Sequence, residues 1–371
     1  MKPNKAFWKD KMKRTLIVLL LSAVLLAACG QAAPTQSQTQ DQPVVLVDAL
    51  NREVKLERLP RRIVVTGKAS LMILDALYMF PEAKERVVAF EAVSQGNLNF
   101  IELLDPGYAE KAFLKRDAGV EQFVAAEPDL VILKSSQAEK YGAPIEALNI
   151  PVVYVDFETP EQYYRDLELI GRIFGNPDRA RELIKLYQDA AAEIEQKVSV
   201  SAYKQNVLVL QYSEKDGAVA FDVPPAAWMQ TLMVQMAGGS PVWLDANIGS
   251  GWAQVSIEQI AAWDPDIILV IAYAQDPSGV AAQLKADPQW QLLRAVREGH
   301  LYGFPKDVYS WDQPDTRWVL GLRWLAARLH PEVFGQTDFV QIARDFYQFA
   351  YKIDNASYDA NLLPNTQGDL R

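Results

Sequence analysis

Lys68, Ser70, Lys115, Arg116, Ser135 and Ser136 fall in connections between strands and helices in the first half of the chain. Tyr212, Trp228, Trp252, Tyr273 and the segment 306–311, ending in Trp311, fall in such connections in the second. Ammonium, guanidinium and hydroxyl donors suit carboxylate, hydroxamate or catecholate oxygens gathered around a metal, and aromatic faces suit a bulky planar or chelated group that stacks. That chemistry is reversible capture. Covalent catalysis has little to work with: the chain has two histidines and one cysteine, and it carries no G-x-S-x-G, H-E-x-x-H or phosphate loop. His300 opens a strand at the end of a sheet opposite the expected site, and His330 ends a helix, where its charge suits the dipole; both read as structural. The candidate ligand-binding set is therefore Lys68, Ser70, Arg116, Ser136, Tyr212, Trp228, Trp252, Tyr273 and Trp311, with no catalytic residue, no metal-ligating residue and no cofactor. Any single aromatic here is more readily explained by packing; their convergence carries the reading.

Convergence requires elements that bring these loops together. Arg62–Thr66, Val87–Phe90, Leu130–Leu133 and Pro151–Val155 are apolar strand runs separated by helical patterns, as are Val207–Tyr212, Ile267–Ala272 and Leu301–Phe304. Strands alternating with helices make parallel sheets covered on both faces, and such sheets bind ligands beyond the carboxyl ends of their strands. The segment VEQFVAAEPDLVIL, 120–133, is repeated as IEQIAAWDPDIILV, 257–270, each a helix start, a Pro-Asp turn and a buried strand. Between the copies runs Asn176–Val198, one helix with an Asn N-cap, Pro177 at its first position and an apolar stripe of Ala180, Leu183, Ile184, Tyr187, Ala191, Ile194 and Val198. At about 1.5 Å per residue it is long enough to bridge two bodies. The expected architecture is two doubly wound α/β lobes, 44–175 and 199–371, joined by one long rigid helix, 176–198, with the ligand cleft between them. The polar residues from Asn355 onward are expected to lie over the surface or fray.

The N-terminus belongs to targeting. Six basic residues between Lys2 and Arg14 precede an apolar run, Thr15–Leu26, which is short for a bilayer span, and the run ends in Leu26-Ala27-Ala28-Cys29-Gly30. This resembles the lipobox of bacterial lipoproteins, which implies a signal peptide over 1–28, acylation of Cys29 and a polar tether over 29–43. With its sole cysteine lipidated the chain has no disulfides, so its stability must come from its cores. Removing 1–28 takes away six basic groups and Asp10, moving the formal charge from −10 to −15. That charge argues against nucleic acid and against a membrane-hugging surface.

The D-x-x-N-R-E-V opening, the R-I-V-V strand, both E-Q…P-D units, Trp311-Asp312-Gln313-Pro314 and Leu329-His330-Pro331-Glu332 stand in an order that resembles the substrate-binding lipoproteins of ABC importers, of the type with one linking helix. The resemblance implies a monomer held by lipid on the extracytoplasmic face of the cell membrane, stiff between its lobes, that delivers a solute to a permease dimer with its ATPase. The solute most in keeping with the cleft is a metal chelate of ferric-siderophore type. Cobalamin, haem with Tyr212 or Tyr273 as axial ligand, and a molybdate- or tungstate-like oxyanion held by Ser135 and Ser136 remain alternatives, as does a sensory lipoprotein without transport. In similar proteins a glutamate opening a helix in each lobe meets arginines of the permease, and Glu121 and Glu258 match those positions. A carboxylate in a helix's first turn also has a plain dipole explanation.

Overall fold

The first elements of the computed structural model, which describes residues 42–91, 98–115, 118–201, 203–246 and 249–370, are β1 (Val44–Val47) and β2 (Glu53–Leu56), an antiparallel hairpin with Val44 opposite Leu56. Alternating burial along β1 lays Val44 and Leu46 against the first lobe, and Ala49 N–H donates to Tyr154 O at 2.9 Å. The lobe's own sheet is parallel throughout, in the order β5 (Ala112–Leu114), β4 (Val87–Glu91), β3 (Ile63–Val65), β6 (Leu130–Lys134), β7 (Val152–Val155). The central runs are fully buried, as two covered faces require. The edge strand β5 is short and half exposed, and nothing in its three residues announces a strand.

The second sheet repeats the plan with one difference. β8 (Asn206–Lys215), β12 (Ile267–Ile271) and β13 (Leu301–Gly303) are parallel, and β12 sits beside β8 as β6 sits beside β3. On the other side of β8, however, β9 (Ala218–Val223) returns antiparallel through Asp216 and Gly217, both at positive φ, and pairs with the two-residue strand β11 (Ala253–Gln254), while the equally short β10 (Ser240–Pro241) runs parallel to the start of β8. The sheet is therefore mixed. Asp-Gly between two apolar runs is a strong hairpin signal, and the expectation of a purely parallel sheet passed over it.

The linking helix, Pro177–Val198, starts where Asn176 Oδ1 accepts Arg179 N–H at 3.2 Å; the preceding helix, Pro160–Phe174, is capped by Thr159 and closed by Gly175 at φ 69°. Its fully buried stripe is Ala180, Leu183, Tyr187, Ala190 and Ile194, one residue off the expected position at Ala191, and it includes the buried charge of Arg179. That guanidinium serves both lobes. Its Nε donates to Met79 O at 3.0 Å in the first, and its Nη2 donates to Phe349 O and Ala350 O, each at 2.8 Å, on the helix Phe339–Tyr351 in the second.

The C-terminal residues do not fray. Tyr358 and Leu362 are buried, Gln367 exchanges backbone hydrogen bonds with Lys306, and Asp369 N–H donates to Gly303 O while its carboxylate Oδ2 accepts Gly303 N–H, so the tail is tied beside β13. Composition misleads here because most of the tie runs through backbone groups that every residue carries.

Arg179→Met should leave three carbonyl oxygens without this donor, those of Met79 and Ala350 in buried bonds and that of Phe349 half-buried, and cost about 3 kcal/mol of stability in denaturant unfolding. A loss under about 1 kcal/mol would mean that water replaces the guanidinium.

Candidate functional site

The chain leaves β3 through Gly67 at φ 87° and Ala69 at φ 60°, two left-handed positions in three residues, before the helix Ser70–Tyr78 begins. A β-carbon in that region costs about 1–2 kcal/mol, so Ala69 holds a local strain that the surrounding structure maintains. The turn presents residues 67–72 to a cavity of ≈ 550 Å³ between the lobes. Lys68 is exposed at its rim, and Ser70 is buried at the helix start, where no side chain caps the helix. Glu91 at the end of β4 and Gln137, Lys140 and Tyr141 in the turn after β6 complete the first lobe's wall. That connection is a 3-10 turn, Ser135–Gln137, followed by a π-helical stretch, Ala138–Gly142, a local widening often found at functional sites. The second lobe contributes Tyr309, Gln313 and Asp315.

Of the candidate residues Lys68 and Ser70 line this cavity, and several others stand elsewhere. Trp311 is 1% exposed; its indole N–H donates to Asp307 Oδ2 at 3.0 Å, and its carbonyl lies so close to Gly321 that any β-carbon there would meet it at 2.2 Å. It is a core residue of the second lobe. Tyr212 is buried against Phe221 with its hydroxyl on Glu214 at 3.1 Å, and burial, with Glu214 beside it, raises its pKa. Ser136 is exposed one residue before Gln137, and the hydroxyl of its neighbour Ser135 is committed to Asp156. Lys306, at the start of the expected aromatic segment, points back to three carbonyls, those of Ala272, Tyr273 and Gln275, at 2.7–3.2 Å. Arg116 and Cys29 lie outside the described residues.

Trp228, Trp252 and Tyr273 do come together. Trp228 and Trp252 meet edge to face with centroids 5.5 Å apart, and Trp252 lies 6.5 Å from Tyr273. All three are half-buried, and none lines the cavity. Beneath them Asp312, fully buried, accepts from Tyr273 Oη at 2.8 Å and from Gln230 Nε2 at 3.0 Å; its sequence neighbour Gln313 is in the cavity wall. Burial raises the pKa of both Asp312 and Tyr273, the latter well above the ordinary phenol value with Asp312 beside it. A phenol so held is a poor axial ligand to haem iron.

Residues that sequence reasoning missed come from both lobes. Trp311-Asp312-Gln313-Pro314 marked the right loop, but it is Gln313, with Asp315 just beyond the motif, that faces the cavity, whereas Trp311 and Asp312 turn inward. Gln137, Lys140 and Tyr141 carried no signal, since the short 3-10 and π turns that carry them have no sequence signature. Glu121 and Glu258 are both exposed in the first turns of their helices, Val120–Ala125 and Ile257–Trp263. The Ser256 hydroxyl beside Glu258 holds its carboxyl below the ordinary value. His300 is exposed beside Glu298, and His330 is buried with Nε2 3.0 Å from Ala237 O. Among the described residues, no three His, Cys, Asp or Glu side chains are disposed to hold a metal ion.

The family profile described as periplasmic binding protein matches residues 63–308, more than half of the chain. A molybdate-binding protein of Haemophilus influenzae is 25% identical to this chain over 94% of it and 99% of its own length. A petrobactin-binding protein of Bacillus subtilis is 24% identical over 77% of this chain and 88% of its own. Among solved structures, a periplasmic solute-binding protein from Veillonella parvula superposes with a TM-score of 0.70 at 23% identity, covering 86% of this chain and 97% of that one, a likeness of fold.

Proposed function

Because the chain belongs to the periplasmic binding protein family, we propose that its interlobe cavity captures a metal chelate of ferric-siderophore type and that the protein hands this solute to an ABC permease. It is a solute-binding protein and not an enzyme. The observation that carries the ligand class is the cavity itself. At ≈ 550 Å³ it falls among sites for whole organic ligands, whereas a bare oxyanion, the bulk of a few waters at about 30 Å³ each, would leave most of it empty. Its wall carries the cations Lys68 and Lys140, with Ser70, Tyr141 and Tyr309 close by, a set suited to anionic chelate oxygens. The petrobactin-binding relative supports this class.

A second reading, a molybdate-like oxyanion, is supported by the Haemophilus relative and by the uncapped helix start at Ser70. It does not use Ser135, whose hydroxyl is taken by Asp156. Native mass spectrometry with metal analysis of protein purified from its own host separates the two. The chelate reading expects an iron-bearing organic ligand, and recovery of a bare oxyanion or an iron-free ligand would overturn it.

Delivery follows from the same premise. Cys29 anchors the mature chain through lipid to the extracytoplasmic face of the membrane, and 29–43 tether the monomer. Glu121 and Glu258, one exposed carboxylate on each repeat unit, suit a permease dimer whose twofold presents the same basic pocket twice. Rim charges set orientation and encounter rate more than affinity. In reconstituted transporter the pair Glu121→Arg and Glu258→Arg should therefore cut uptake at least tenfold while solute affinity of the isolated protein stays unchanged. Undiminished uptake in the double variant would reduce both residues to helix-start carboxylates.

A further inference from the structure

Behind the cavity wall, Arg317 is completely buried among three aspartates. Its Nη1 lies 2.6 Å from Asp75 Oδ2 and 2.6 Å from Asp315 Oδ1, and its Nε lies 3.0 Å from Asp307 Oδ1. Asp75 belongs to the first lobe, on the helix that starts at Ser70; Asp307, Asp315 and Arg317 belong to the second. The three carboxylates are not equivalent. Asp307 is saturated: it also accepts from Val308 N–H, Trp311 Nε1 and Tyr347 Oη. Asp75 Oδ1 and Asp315 Oδ2 have no donor, although both atoms are out of reach of solvent. The two carboxyl groups meet at one atom, since the same Arg317 Nη1 lies 2.6 Å from an oxygen of each.

Acceptor facing acceptor in a dry site is unfavourable unless a proton stands between them, and three buried carboxylates against one guanidinium leave an uncompensated charge that water does not screen. We propose that Asp75 and Asp315 share one proton across the interlobe junction, so that this junction is a proton-binding site. The other groups facing the pair are Arg317, Asp307, and the hydroxyls of Thr316, Tyr163, Tyr187, Tyr309, Tyr347 and Tyr351; Tyr351 Oη donates to Asp75 O at 3.2 Å and contacts Thr316 Oγ1 at 2.7 Å. None of them supplies a second cation. Burial raises the Asp75 pKa well above the ordinary carboxyl value; Arg317 pulls it back and Asp315 pushes it further up. A proton fits the pair better than a metal ion, since no three acidic or histidine side chains among the described residues converge as ligands.

The sign of the consequence follows from linkage. A folded state that keeps a proton the unfolded chain has released loses stability as pH rises, beginning at the ordinary carboxyl value of about pH 4 and continuing upward through the raised folded value. Asp315 also lines the cavity, so an anionic solute there would tighten the junction's hold on its proton and be bound with proton uptake. That coupling rests on the chelate reading; the junction does not, and the test uses protein without solute.

Thermal unfolding is measured against pH for the wild type, Asp75→Asn and Asp307→Asn, with infrared spectra at neutral pH. An amide at position 75 can donate to Asp315 and accept from Arg317, as the protonated acid does. The Asp75→Asn variant should therefore gain thermal stability relative to wild type as pH rises from 4, and it should lack a protonated-carboxyl carbonyl band that wild type shows. Asp307→Asn, which breaks a saturated carboxylate, should lose stability at every pH and keep the band. Parallel wild-type and Asp75→Asn curves, or no such band in wild type, would overturn the proposal. Should Asp75→Asn not fold, Asp315→Asn reads the other half of the pair: it should likewise lack the wild-type band, and its retention there would overturn the proposal.

Discussion

A single buried guanidinium decides how the two lobes sit. Arg317 meets the first lobe through Asp75, the loop 306–316 through Asp307 and Asp315, and the helix Phe339–Tyr351 through Tyr347, while its flat face lies over Phe100, 4.6 Å from the ring centroid. Burial works against its charge, but Asp315, Asp75 and Asp307 outweigh that and hold its pKa well above the ordinary value. Such a group is costly to bury and still more costly to leave half-paired, so every element that touches it is fixed relative to the others. The same loop supplies Tyr309, Gln313 and Asp315 to the cavity. Solute wall and interlobe junction are two sides of one piece of chain.

The linking helix reinforces that arrangement from behind. Arg179 ties Met79 to the carbonyls of residues 349 and 350, and Tyr187 Oη donates to Thr316 O at 2.7 Å, inside the loop that carries the junction. Tyr187 also stacks on Trp318, the first residue of the helix that follows Arg317. A solute entering the cavity therefore presses on groups that a continuous helix, two guanidinium hubs and a packed aromatic layer hold in place. Small adjustments of the lobes are compatible with that construction, and wide opening would break many of these contacts together.

How much of this was legible in the sequence depends on which physical signal each part carries. Caps and period are local, so the helices at Thr159–Pro160 and Asn176–Pro177, the hairpin before β3 and the two repeat units could be read directly. β9 was readable from Asp216-Gly217 and was overlooked, while β5 and the docked tail are held by backbone pairing that leaves no pattern in side chains. Around the cavity, strand-end loops were the right places, but composition could not say which way a residue turns. Trp311 goes inward because Gly321 leaves room for its backbone and Asp307 takes its indole, neither of which can be inferred from the tryptophan itself. The buried charges were the least legible: nothing local marks Asp75, Asp315 and Arg317, which meet only when the fold brings positions more than two hundred residues apart into contact.

What links these observations to transport is the claim that a metal chelate occupies the space between Lys68, Ser70 and Gln137 on one side and Tyr309 and Gln313 on the other. The most direct test is an anomalous difference map collected at the iron absorption edge from crystals of protein purified with its native solute. The account predicts one strong peak inside that cavity, surrounded by organic density reaching toward Lys68 and Lys140. A liganded cavity without an iron peak, or an iron peak elsewhere on the molecule, would contradict it.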